Sequence, residues 1–297
     1  MEAIDSDDGL PVWQSAEGCE LPGGTLAIER LGVGRRCETW LVWSPELWSP
    51  AVLKLARPHQ LQHPRAVKSL GRETAALSGK LHPALPRLLA DGTLEPAPHL
   101  LIEYVDGPSL AEEIDLNGAL APAEVALLGA QLLPALTSLH QRGLAHLDLK
   151  PDNIVLLDGH PILIDFGSAR RLGSLQPVGH PVGTPGYAPP EQEDCQPVSV
   201  AMDLYALGAT LAEALTGVPA ATPGDGVQAG AVANGVPELP ESPVGRVIER
   251  LLADDPAARG STADVLVALA TAAGELRPWP DWLDRYAAVR TLTEAGN

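Results

Sequence analysis

The pattern of apolar residues changes near residue 105, and that change limits what this chain can fold into. Residues 24 to 55 read as short β-rich runs separated by turn residues, which predicts antiparallel strands. "PRAVKSLGRETAALSGKL" (64–81) places Val67, Leu70, Ala76, Leu77 and Leu81 at helical spacing, and His82-Pro83 is expected to stop that helix. "HLLIEYV" (99–105) is one more β-like run, closed by Asp106-Gly107-Pro108. Beyond it the periodicity is helical, at 121–143, 200–215, 244–253 and 261–275. Pro122 suits a first helical position, and Pro134 is expected to kink or break its helix. Two short apolar strands flank the turn Asp158-Gly159. A Gly/Pro-rich stretch (167–190) has no regular pattern, and a loop of that length in a compact domain is usually functional or disordered. Residues 219–243 also read as loop, and no internal repeat is present. The prediction is an α+β, bilobal molecule. It divides into an acidic, mobile lead (1–21), a small strand-rich lobe with one main helix (22–105), a larger helical lobe (106–275) and a C-terminal helical extension (276–297). In the extension Trp279, Trp282 and Tyr286 are available to dock the helix. Clefts between two such parts are where ligands tend to bind.

With 45% apolar and 20% charged residues, the composition is that of an ordinary globular chain. A formal charge of −18 disfavours nucleic acid and anionic membrane as partners and fits a basic protein or peptide. No apolar run approaches the ~20 residues of a bilayer span, and the acidic start lacks a signal-peptide pattern. Cys19, Cys37 and Cys195 are odd in number and in no metal-ligand spacing, so a reducing cytoplasm is the expected compartment. Lysine occurs only at 54, 68, 80 and 150, and the one phenylalanine is Phe166 in "IDFGSAR". Scarce residues inside motif-like stretches point to chemistry rather than solubility as the reason for them.

Transfer of a γ-phosphoryl group needs a cover for the phosphates, a cation to place them, oxygen ligands for Mg²⁺ and an acceptor for the hydroxyl proton. "LGVGRRCETW" (31–40) offers Gly32 and Gly34, where backbone N–H groups can approach phosphate unobstructed by Cβ. Lys54 ends a β-run, and Glu73 lies on the following helix, where it could pair with that ammonium. In "HLDLKPDN" (146–153), Asp148 is a candidate proton acceptor and Lys150 a neutraliser of moving charge. Asn153 and Asp165 are hard oxygen ligands suited to Mg²⁺. Each residue alone has a plainer reading: a hairpin glycine, a solvated lysine, a turn-capping Asp or Asn. The plain readings do not explain the whole set in this order.

The chain resembles the eukaryotic-type serine/threonine protein kinases over about residues 24–275. The motifs that carry the resemblance are "LGVGRRCETW", "AVLK", Glu73 in "RETAAL", "HLDLKPDN", "DFG" (165–167), "GTPGYAPPE" (183–191), "DLYALG" (203–208) and "DPAAR" ending in Arg259. The resemblance implies ATP with Mg²⁺, or Mn²⁺ in its place, and a protein acceptor bearing Ser or Thr. Lys150 and "GTPGY" favour Ser/Thr over Tyr. It further implies that Ile102 gates the adenine pocket, that Glu103 and Val105 offer backbone groups to adenine, and that Thr39 and Val155 line the same pocket. Thr184 would steady Asp148, Glu191 would pair with Arg259, and Asp203 would brace the catalytic loop. Leu77, Leu88, His146 and Phe166 would stack as a column joining the lobes.

Four positions depart from the family pattern. Cys37 stands for the third glycine of the phosphate loop, which stiffens it, and its thiol is expected to be unreactive and near its normal pKa. Thr39 replaces a valine, and Pro189 replaces the alanine before Pro190-Glu191. Leu147 stands where the family carries an arginine that pairs with a phosphate on the activation loop. Leucine cannot form that pair, although the residues assigned to chemistry are all present. Activity without obligatory activation-loop phosphorylation is therefore expected, with Arg170 and Arg171 the basic residues left to replace the latch. Two other readings compete: a pseudokinase that binds nucleotide without turnover, and a small-molecule kinase.

Overall fold

A computed structural model of the chain describes residues 2–5, 9–61, 63–79, 82–179, 181–220, 231–232 and 236–274. The terminal helix expected over 276–297 lies outside the described residues, as do 221–230 and 233–235 of the loop-like stretch.

The chain opens with an antiparallel hairpin of β1 (Glu2–Asp5) and β2 (Pro11–Gln14). A six-stranded antiparallel sheet follows, formed by β3 (Glu20–Leu21), β4 (Thr25–Val33), β5 (Cys37–Ser44), β6 (Ser49–Ala56), β7 (Leu88–Gly92) and β8 (His99–Glu103). Its spatial order is β3-β4-β5-β6-β8-β7. Strand β5 alternates strictly, burying Glu38, Trp40, Val42 and Ser44 on one face, as a period of two requires. The helix α1 (Pro64–Leu77) is inserted between β6 and β7 and turns Ala66, Leu70, Glu73, Ala76 and Leu77 inward. It ends four residues before the expected Leu81, because Ser78 is already extended (φ −85°, ψ 147°) and Gly79 has φ +86°. The stop is therefore Ser78-Gly79, not His82-Pro83.

The lead expected to be mobile is instead built into the small lobe from residue 9 onward. Val12, Trp13 and Leu21 are buried there, and Trp13 joins Trp40, Leu53 and Leu55 in a separate apolar cluster. Long-range partners make the difference: Trp13 N donates to Glu38 Oε1 (2.8 Å) and Trp13 Nε1 donates to Ala56 O (2.8 Å).

The larger lobe begins with α2 (Leu110–Asn117), a short helix absent from the sequence reading although Ser109 and Glu112 form a full capping box at its start. The central helix α3 (Pro122–Gln141) has Pro122 in its first turn and runs through Pro134 without a break. By length and composition α3 is apolar enough to cross a membrane (mean hydropathy 1.2), contrary to the expectation that no such run exists. In this fold those side chains are the core: Leu128, Leu132, Leu133, Leu136 and Leu139 are buried among other helices. After α3 come β9 (Leu144–Ala145), the hairpin β10 (Ile154–Leu157) and β11 (His160–Leu163), and β12 (Arg170–Arg171), which pairs with β9. Then α4 (Pro190–Glu193), α5 (Val200–Thr216), the strand pair β13 (Ala231–Val232) and β14 (Val236–Pro237), α6 (Pro243–Leu251) and α7 (Thr262–Ala273) complete the described chain. The larger lobe packs around α3 and the fully buried α5, and the same cluster takes in Leu70, Leu77, Leu100 and Ile102 from the smaller lobe. One continuous core thus reaches both walls of the cleft.

Candidate active site

A cleft of about 410 Å³ opens between the sheet and the helical lobe. Gly32, Thr39, Lys54, Glu73, Ile102, Glu103, Val105, Asn153, Val155 and Asp165 all line it, so nearly every residue singled out for nucleotide or metal converges on one place. Gly34 does not line it: its N–H donates to Cys37 O (2.9 Å), which closes the phosphate-loop turn and commits that amide. Leu31, Val52, Tyr104 and Ile164 line the cleft and were missed, although Leu31 precedes Gly32 and Val52 lies two residues before Lys54 on the same strand face.

Strand β6 presents Lys54 to the cleft, and α1 presents Glu73 from its buried face. Lys54 Nζ donates to Glu73 Oε1 (2.6 Å) and to Asp165 Oδ1 (2.8 Å), although Asp165 lies 111 positions away. Burial works against the Lys54 ammonium, but Asp165 and Glu73 outweigh it and hold it above the ordinary lysine range. Asp165 is held well below the usual carboxylate range, chiefly by Lys54, with burial opposing. Its backbone is left-handed (φ +60°), and Gly167 N donates to Oδ1 (3.2 Å). Phe166 N donates to Glu73 Oε1 (3.3 Å), so α1 and the Asp-Phe-Gly turn share one carboxylate.

The loop from His146 to Asn153 is shaped from beneath by Asp203, in the first turn of α5. That carboxylate accepts the N–H groups of His146 (2.9 Å) and Leu147 (2.8 Å) and bonds His140 Nε2 (2.7 Å). Burial would raise its pKa, but the His140 bond and the neighbouring donors win, and it is lowered. These bonds offset the cost of holding Leu147 at φ +66°. Within the loop Asn153 Nδ2 donates to Asp148 O (2.8 Å), and Thr184 Oγ1 donates to Asp148 Oδ1 (2.7 Å). Lys150 Nζ lies 3.8 Å from Asp152 Oδ2. Behind the loop His146 and Phe166 meet edge to face at 5.1 Å, while Leu77 is buried and Leu88 packs against the same core. The Glu191–Arg259 ion pair also forms, with Arg259 Nη2 donating to Glu191 Oε2 (3.0 Å).

Leu147 occupies no charged site. It is buried with Ala145, Val198 and Met202, and Leu172 and Val182 pack on them from the Gly/Pro-rich segment. Gln192 Nε2 donates to both Leu147 O (2.8 Å) and Val182 O (2.6 Å), tying that segment to the loop. Arg170 turns its guanidinium onto the carbonyls of Ser168 (2.8 Å) and Ala169 (2.9 Å). Arg142, beyond the end of α3, donates to Ala75 O (2.7 Å), Ala76 O (2.6 Å) and Ser78 O (2.7 Å), satisfying the last carbonyls of α1 from the other lobe. Burial pushes the Cys37 thiol up to about 11, so it departs from the normal value expected for it, in the direction of lower reactivity.

The donors fit a hard divalent cation. Asn153 spends its amide nitrogen on Asp148 O, so its oxygen is the atom that would face an ion, and Asp165 spends Oδ1 on Lys54 and Gly167, so Oδ2 would be its ligand atom. Two protein oxygens suit an ion that keeps waters and takes phosphate oxygens for the rest of its shell. Glu103 N–H is committed to Arg87 O (2.9 Å), which removes it as a donor to a ligand.

Residues 27–268 match the family model for the protein kinase domain. The chain is 34% identical over 251 residues to the probable serine/threonine-protein kinase PkwA of Thermomonospora curvata, covering 82% of this chain and 33% of that protein. It is 32% identical over 200 residues to the serine/threonine-protein kinase PknB of Mycolicibacterium smegmatis (64% and 32% covered). It is 39% identical over 157 residues to the serine/threonine-protein kinase PkaA of Streptomyces coelicolor (50% and 28% covered). The chain thus spans about a third of the length of these relatives. With the family model matched over most of its length, and with bacterial serine/threonine-protein kinases as relatives, this chain belongs to the protein kinase family.

Proposed function

We propose that the chain is an ATP- and Mg²⁺-dependent serine/threonine protein kinase that phosphorylates protein hydroxyls, its own included, without requiring a phosphate on the activation loop. The single observation that carries this reading is the Lys54 bridge: one ammonium bonded at once to Glu73 of the helix and Asp165 of the Asp-Phe-Gly turn. Bound ATP with its ion, Mg²⁺ or Mn²⁺, supplies the transferable phosphoryl group and neutralises its charge. Lys54 would hold the α- and β-phosphates, and Asn153 and Asp165 would hold the ion. Asp148 would take the hydroxyl proton through the carboxylate that Thr184 orients, and Lys150 would offset charge on the group in flight. Ile102, Val155 and Thr39 would enclose adenine, with Val105 and the Glu103 carbonyl as backbone partners. A basic acceptor is favoured by the charge of −18. A cytoplasmic catalytic domain is favoured by three cysteines that are all free thiols.

Independence from activation-loop phosphate is supported by the apolar packing of Leu147 with Leu172 and Val182, which ties the segment to the loop without any charged group. Transfer of labelled γ-phosphate to the chain itself or to a basic protein tests the reading. Transfer is expected from the intact protein and from Ser174→Ala, and its loss is expected in Lys54→Ala and Asp165→Ala. An inactive Ser174→Ala variant would return the latch to a phosphate held by Arg170 or Arg171. Nucleotide binding without turnover is the second reading, favoured by the commitment of the Gly34 amide to Cys37 O. Thermal stabilisation by nucleotide with no transfer to any of a wide set of acceptors would support it.

A further inference from the structure

Residues 9–14 precede the stretch that matches the kinase family, yet two fully buried charged side chains of the small lobe are spent on them. Arg57 follows β6 and is completely buried. Its guanidinium donates to Leu10 O (2.8 Å) and Pro11 O (3.2 Å) of the N-terminal segment, and to Gly34 O (3.1 Å) of the phosphate loop. Its backbone N–H donates to Arg36 O (3.0 Å), a second carbonyl of the same loop. Glu38, also completely buried, accepts Trp13 N, and Trp13 Nε1 reaches Ala56 O beside Arg57. A buried guanidinium needs its donors satisfied, so removing the segment takes away the Leu10 and Pro11 carbonyls from a charge that also bonds Gly34 O of the loop.

We infer that residues 10–13 and Arg57 form a strap that positions the phosphate loop Gly34–Cys37, which makes the N-terminal segment a working part of the nucleotide cleft. The strap fixes the loop carbonyls at 34 and 36, and the Gly34–Cys37 turn fixes the loop from within. A loop held from both sides is preorganised for phosphates, and preorganisation raises affinity by lowering the ordering cost of binding. Of the residues proposed to enclose adenine, Ile102, Val105 and Val155 line the cleft from other elements, and only Thr39 lies on β5 beside the strap. The strap therefore discriminates ligands with phosphates from ligands without them. This inference rests on the cleft being a nucleotide site.

Calorimetric affinities for Mg-ATP and for adenosine, measured on the full chain, separate the possibilities. Trp13→Ala and Arg57→Lys are the test variants, since lysine keeps the charge but cannot span three carbonyls. Trp13→Phe keeps an aromatic ring in the cluster and removes the indole N–H, and a cooperative melting transition reports whether each variant is folded. The expected result is a fall of roughly fivefold to tenfold in ATP affinity, with adenosine affinity within about twofold of the intact chain. Both variants acting through one strap should also be non-additive when combined. Equal losses for ATP and adenosine, or no loss in a folded variant, would overturn the strap alone. An intact chain that binds neither ligand would overturn the nucleotide reading and the strap with it.

Discussion

Lys54 sits between two carboxylates, so the protonation of three groups is linked to the shape of the cleft. The folded Asp165 is depressed, so its contribution to stability is complete above the ordinary Asp value of 3.8 and is lost as pH falls below it. The folded Lys54 is raised, so its contribution persists below the ordinary lysine value of 10.5 and is lost only as pH rises beyond it. The melting temperature should therefore fall on the acid side, and Asp165→Asn should flatten that limb. If Asp148 takes the hydroxyl proton as proposed, replacing it by Asn should lower turnover by about 10²–10⁴-fold with little change in ATP affinity, because a proton acceptor acts only in the chemical step. For Cys37, pushed up to about 11, only about one thiol in a thousand is ionised at pH 8. Iodoacetamide labelling followed by mass spectrometry should mark the exposed Cys19 first and leave Cys37 unmodified. Substituting Leu147→Arg restores the family's residue but places a charge among Ala145, Val198 and Met202. The expected cost is several kcal/mol of stability, read by denaturant unfolding, with no gain in activity.

Among the elements, α1 decides whether the ion pair exists, because Glu73 moves with it. Its C-terminal carbonyls are capped by Arg142 from the opposite lobe. Arg142→Ala should cost about 1–3 kcal/mol after allowing for the exposure of two of those bonds. It should also lower turnover by about tenfold at temperatures where the protein is folded, since small displacements of positioning groups are amplified in rate. Comparing kcat with the unfolding free energy separates the two effects. Such inter-lobe ties are invisible in a linear reading: Arg142 and Ala75 lie 67 positions apart with no shared period. By contrast "HLDLKPDN" was legible, because its turn brings Asp148 and Asn153 together locally, through the Asn153 Nδ2 bond to Asp148 O. The short α2 carries only the Ser109–Glu112 capping box as its signal, and that signal was there to be read. The end of α1 was overextended because Leu81 continued the apolar spacing, whereas Ser78 and Gly79 set the backbone.

Across the whole molecule, the switch of periodicity near residue 105 falls between the end of β8 at Glu103 and the start of α2 at Leu110, since periods of two and of 3.6 follow from backbone geometry alone. The N-terminal segment escaped notice because its partners, Glu38, Ala56 and Arg57, are 25 to 47 positions away. Leu77, Leu88 and Phe166 share the core that runs from sheet to helices, and His146 meets Phe166 edge to face, so the lobes meet over packed side chains as well as the ion pair. The central claim is that this cleft transfers phosphate as folded, with Leu147 and its neighbours ordering the activation segment in place of a phosphate. The most direct measurement is the time course of γ-phosphate transfer to a basic protein by chain that has been fully dephosphorylated, as verified by mass spectrometry. Transfer should be linear from the first turnovers at every enzyme concentration. A lag that shortens with enzyme concentration and disappears after preincubation with ATP would contradict it.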